Sequence, residues 1–92
     1  MKKLTLSAVL SVDGNPYTPS MTFDLNQVES DLATQALDQV GTTNPDGSQT
    51  WTWSKDENIP LSIPVNLPFN IKEVLHESLA LAESVTITLV TA

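Results

Sequence analysis

Leu4, Leu6, Ala8, Leu10 and Val12 alternate with Thr5, Ser7 and Ser11. A period of two is that of a strand with one face turned to a core. Val9 falls on the polar side and predicts some cover there as well. Asp13-Gly14 follows as a turn signal, and Pro16 and Pro19 predict a connection longer than a tight hairpin. Alternation resumes at Met21, Phe23 and Leu25, a second strand.

The period then changes. Asn26 and Glu29 have the spacing of a capping box, in which the first side chain accepts from the backbone and the second reaches back. Val28, Leu32, Ala36 and Val40 recur at roughly helical spacing, and Gly41 offers a C-terminal cap. The pattern predicts a helix near 27–39. Asn44-Pro45-Asp46-Gly47 predicts a type I turn with glycine in a left-handed bulge position. Such a hairpin recruits residues 40–43 as a strand; helix and hairpin are compatible if the helix ends near Asp38.

Gln49 to Lys55 reads as a strand with Trp51 and Trp53 on one face and Thr50 and Thr52 on the other. Ile59, Leu61, Ile63, Val65 and Leu67 are apolar and odd-numbered, while Pro60, Pro64 and Pro68 are even-numbered. In a strand those prolines remove donors from one edge only, which predicts a Pro-punctuated edge strand. A polyproline-like loop is the competing reading. Asn70 and Glu73 repeat the capping-box spacing, with Phe69 and Val74 as a hydrophobic staple. Ile71, Val74, Leu75, Leu79 and Ala82 complete the stripe of a second helix. Ser84 to Thr91 closes the chain as a strand with Val85, Ile87 and Leu89 on one face.

The elements predict an α+β fold over a single small acidic domain, residues 1–92. One mainly antiparallel sheet of about five strands carries two helices in the order ββαββαβ. The first and last strands are apolar and free of proline, which suits the sheet centre. A split into two small sheets is the competing architecture.

Composition narrows the chemistry. The 92 residues include no Cys, no Arg and one His, and 40% are apolar. A domain of this size has a modest core, and this one has no disulfide and no His-rich metal site to staple it. It relies on packing, or on burying surface against copies or a partner. Eleven carboxylates against four lysines give a formal charge of −7. That field repels polyanions, so direct nucleic-acid binding and attachment to an anionic membrane are both disfavoured. No apolar stretch has the length of a membrane span. Met1-Lys2-Lys3 and the run after it imitate a signal peptide poorly, since Thr5, Ser7 and Ser11 interrupt the apolar region.

No catalytic constellation is visible. His76 stands near Glu73 and Glu77 without a nucleophile, and reads as a solvated histidine. Asp13-Gly14 and Asp46-Gly47 lack the repeated oxygen ligands of a calcium loop. No serine lies in a nucleophile elbow, and no glycine-rich phosphate loop is present. The expectation is a protein without enzymatic activity, cofactor or metal. Trp51 and Trp53, with Thr50 and Thr52, form the candidate contact surface, because tryptophan is enriched at interfaces. The bland alternative packs the tryptophan face on the core.

Three functional readings follow. The first is a structural or assembly protein acting through protein–protein contacts, concretely a small virion-type subunit (capsid decoration, head or tail) and a candidate homo-oligomer. The second is an acidic inhibitor or adaptor that occupies a basic protein site, in the extreme mimicking nucleic acid. The third is a carbohydrate- or peptide-binding module using the tryptophans or a free strand edge. Virion or cytoplasm is favoured over secretion.

Overall fold

The computed structural model of the chain describes residues 2–55 and 67–91. In chain order the elements are β1 (Lys2–Val12), β2 (Asn15–Tyr17), β3 (Ser20–Asp24), α1 (Gln27–Val40), β4 (Thr42–Thr43), β5 (Gln49–Ser54), α2 (Phe69–Leu81) and β6 (Ser84–Thr91). The fold is α+β: the described residues form two helices and a six-stranded sheet whose pairings are all antiparallel. The sheet is one strand larger than the five expected. The proline-punctuated stretch 59–66 lies outside the described residues, so the order ββαββαβ is replaced by βββαββαβ among those described.

β1 and β6 occupy the centre. β1 is flanked by β6 on one side and by β2 and β3 on the other, and the order continues from β6 to β5 and β4. Leu4, Leu6 and Ala8 of β1 face Val85, Ile87 and Leu89 across the ladder, and all six are buried. Alternation is thus converted directly into a core face.

The turn after β1 departs from the expected long connection. Val12 pairs with Asn15, so Asp13 and Gly14 alone make the loop. Both have positive φ, 51° and 80°, the conformation that a two-residue hairpin of matching twist requires. The prolines that argued for a longer loop are accommodated in one unbroken register running from Val12↔Asn15 to Lys3↔Asp24. Ala8 N–H donates to the Pro19 carbonyl at 3.1 Å, so Ala8 and Pro19 form a hydrogen-bonded pair lacking only the proline's own donor. Pairs alternate, which puts Pro16, opposite Ser11, in a non-hydrogen-bonded pair with its ring nitrogen turned outward. β2 and β3 are therefore two parts of one edge strand interrupted at Thr18-Pro19.

α1 begins as its sequence dictates. Asn26 accepts from Glu29 N–H at 2.8 Å, and Glu29 accepts from Asn26 N–H at 3.1 Å. Its buried face only partly follows the apolar recurrence: Ala36 is buried and Val40 packs against the core, but Val28 and Leu32 do not join them. Ser30, Ala33, Ala36 and Leu37 are buried, whereas Val28 is 69% exposed. Small residues let the helix backbone approach the sheet, and the larger side chains at 28 and 32 are left outside. The helix runs to Val40, and Gly41 ends it in an extended conformation, not a left-handed cap.

α2 starts two residues earlier than its capping pattern predicts. Its first bond runs from Lys72 N–H to the Pro68 carbonyl, 2.9 Å, and no side chain caps it. A proline cannot donate but accepts normally, so it can precede the first turn. Asn70 is already inside the helix. Phe69, expected to staple against Val74, is 70% exposed. The stripe itself holds: Ile71, Leu75 and Ala82 are buried, and Val74 and Leu79 pack against the core. Both helices cover the same face of the sheet, α1 over β5, β4 and the start of β1, and α2 over β1 and β6.

Candidate functional site

Period two separates the residues proposed as a contact surface. Trp51 pairs with Ile87 and Trp53 with Val85, so both tryptophans lie on the helix-covered face. Trp51 is 5% exposed and part of the core; Trp53 is half-buried against it. Thr50 and Thr52 lie on the opposite face, half-buried and exposed respectively. The four residues do not form one surface. Tryptophan at alternate positions signalled the core side of the strand, and the accessible member of the set is the threonine row.

That row is continuous. Thr22, Thr5, Thr88, Thr50 and Thr42 are successive cross-strand neighbours from one edge of the sheet to the other. Ser20, Ser7, Thr86 and Thr52 form a second row beside it. The hydroxyls of Thr5 and Thr22 lie 3.2 Å apart and share a hydrogen bond. Among the described strand residues, charge on this face is confined to Lys3 and Asp24 at one corner, 3.8 Å apart. Threonine suits an exposed pleated surface, so the rows need no ligand to explain them.

A different surface stands out on the helix side. β6 pairs with β1 only as far as Val9↔Ser84. Beyond it β1 and β2 continue as a two-stranded ribbon, and the core-facing alternation continues with them. Leu10 and Val12 lie on that inner face, with Tyr17 directly opposite Leu10. Tyr17 is 57% exposed, and Val12 is exposed beside it. The tip forms a concavity of about 470 Å³ lined by Val12, Asp13, Asn15, Pro16 and Tyr17. At its base a groove of about 210 Å³ runs between the hairpin and α2, bordered by Leu10, Met21, Val74, Glu77 and Leu81. Leu81 is 76% exposed.

The concavity and the groove adjoin through the Leu10–Tyr17 pair, and Asp13 and Glu77 are among their lining residues. Single exposed apolar residues are ordinary, but a clustered set marks a place for contact. The sequence carried a signal for it. Alternation persists from Leu4 to Val12 and again from Tyr17 to Phe23, longer than a lone helix can cover. Reading Pro16 and Pro19 as loop residues hid that continuity.

Further carboxylates are exposed on the helices: Asp31 and Asp38 on α1, where Asp38 also accepts from Gln49 of β5, and Glu73 and Glu77 on α2. His76 is exposed on α2. Among the described residues no group of three or more His, Cys, Asp or Glu side chains is placed to hold a metal ion. No helix among them is long and apolar enough to cross a membrane. Hydrogen bonds from the Ser48 hydroxyl and backbone N–H hold the Asp46 carboxyl below the ordinary carboxylate range.

Compared with family models, curated proteins and solved structures, the chain matches none of them.

Proposed function

We infer that this chain is a structural or assembly subunit, of the small virion type, that works through contact between proteins rather than through chemistry. The observation that carries the reading is the β1–β2 ribbon, whose core-facing side chains run on past the helices. A two-stranded ribbon is marginally stable by itself, so one with an apolar inner face is best stabilised by a neighbour. The neighbour is a second copy. Ribbon and groove adjoin on one surface, so a two-fold axis between them lets each copy's ribbon lie on the other's groove. This surface carries few charges, Asp13 and Glu77 among them, in a chain of net charge −7, so two copies can meet there without bringing many carboxylates together.

Light scattering over a dilution series at low and high salt tests this. A dimer or larger closed oligomer that survives both is expected. Tyr17→Glu should convert it to a monomer with an unchanged circular dichroism spectrum. A wild-type chain that is monomeric at every concentration sinks the self-assembly reading.

The second reading is the acidic inhibitor or adaptor, and the exposed carboxylates of the helix layer favour it. It predicts a monomer that binds a basic partner with an affinity falling steeply as salt rises.

A further inference from the structure

The dipeptide Asp-Gly occurs at 13–14 and at 46–47, each time in an exposed hairpin loop. The two settings differ. At 46–47 both groups that could react are engaged. The Asp46 carboxylate accepts from Ser48 N–H at 2.9 Å and from Ser48 Oγ at 2.6 Å. The Gly47 N–H donates to the Asn44 carbonyl at 2.9 Å. At 13–14 neither is engaged: among the described residues the Asp13 carboxylate has no hydrogen bond or ion pair, and no loop bond uses the Gly14 N–H.

Aspartate followed by glycine undergoes a cyclisation that needs only water. The glycine backbone nitrogen attacks the aspartate side-chain carbonyl carbon and loses its proton. The carboxyl oxygen leaves as water, and a five-membered succinimide closes. Water then opens the ring at either carbonyl, restoring aspartate or routing the main chain through the side-chain carboxyl as isoaspartate. Glycine has no side chain to hinder the attack. The neutral carboxyl is the form that readily loses water, so the hydrogen bonds that favour ionised Asp46 also slow its cyclisation.

We propose that Asp13-Gly14 is the site at which this chain spontaneously converts to isoaspartate, and that the 44–48 loop protects Asp46-Gly47 from the same reaction. The product has one more backbone carbon inside a two-residue loop. Such a loop has no slack, so the register between Val12 and Asn15 is lost and the ribbon tip around Tyr17 is rebuilt. This goes beyond the assembly reading and does not depend on it.

The folded protein, aged at physiological temperature and pH, is digested at intervals and its isoaspartate mapped by fragmentation mass spectrometry. Isoaspartate at 13 should accumulate at least roughly tenfold faster than at 46, the equivalent of one charge-assisted hydrogen bond held at the slower site. In urea the two rates should converge, because the dipeptides are identical. Folded Ser48→Ala should speed the reaction at Asp46 and leave Asp13 unchanged. Equal rates in the folded chain overturn the proposal. So does a ratio that persists in urea, which assigns it to neighbouring sequence, or a Ser48→Ala chain whose Asp46 rate does not change.

Discussion

A Cβ added to Gly41 would lie 2.8 Å from the carbonyl oxygen of Thr50 and 3.0 Å from that of Leu37. Gly41 has ordinary negative φ, so its role is spatial. It lets the end of α1 turn into β4 directly over the backbone of β5. Gly41→Ala should destabilise the fold by about 1–3 kcal/mol, the usual cost of overpacking. Urea denaturation reads this as a lower midpoint at constant slope. A midpoint within error of the wild type would mean that the α1–β4 junction is loose.

The two asparagines that begin capping-box patterns separate in energy. Asn26 makes both bonds of its box, so Asn26→Ala should cost about 1 kcal/mol. Asn70 lies inside α2 and caps nothing, so Asn70→Ala should be neutral or slightly stabilising, since alanine is the better helix former. Parallel thermal melts decide it. Equal losses at both positions would place the start of α2 at Asn70 after all.

Gln49 is buried, and its amide is half satisfied. Nε2 donates to Asp38 and, at 3.5 Å, weakly to Thr43, while Oε1 has no hydrogen-bond partner. Removing the acceptor strands a buried donor, so Asp38→Ala should cost about 1–3 kcal/mol. Gln49→Leu removes the donor and the orphan acceptor together, and should be close to neutral. In a double-mutant cycle the Asp38 loss should largely disappear in the Gln49→Leu background. Additive losses would sink the pairing.

Asp46 titrates below the ordinary carboxylate value because Ser48 bonds its charged form. A depressed folded-state pKa stabilises the turn above the unfolded value, and the contribution is lost as pH falls through the folded one. The 44–48 loop should therefore loosen below about pH 4, the ordinary carboxylate range. NMR titration of the Ser48 amide follows it directly. Ser48→Ala should raise the midpoint of Asp46; an unmoved midpoint would remove the hydroxyl as the cause.

Much of the fold was legible because single signals acted locally. The Asn26/Glu29 box, the alternation of β1 and β6, and the Asn44–Gly47 turn with Gly47 at φ 91° all appear as written. The misreadings came where tertiary context decides. Pro16 looks like a loop residue until its partner Ser11 reveals a non-hydrogen-bonded pair. Val28 and Leu32 look like a core stripe until the sheet demands close approach, which Ser30, Ala33 and Ala36 permit. The tryptophans looked like a surface because residue type alone does not say which face of β5 the helices cover.

Lys2 to Val9 find their long central neighbour only in Ser84 to Thr91. On the ribosome β1 therefore waits for β6. Until then it has only the β2–β3 hairpin beside it, and its other edge is open with Leu4, Leu6 and Ala8 uncovered. The hairpin and α1 can form early, but the sheet becomes a sheet in one late event. A pause in synthesis after residue 83 leaves an apolar strand edge waiting for any strand that will pair with it, which makes timing of synthesis a hazard for this chain.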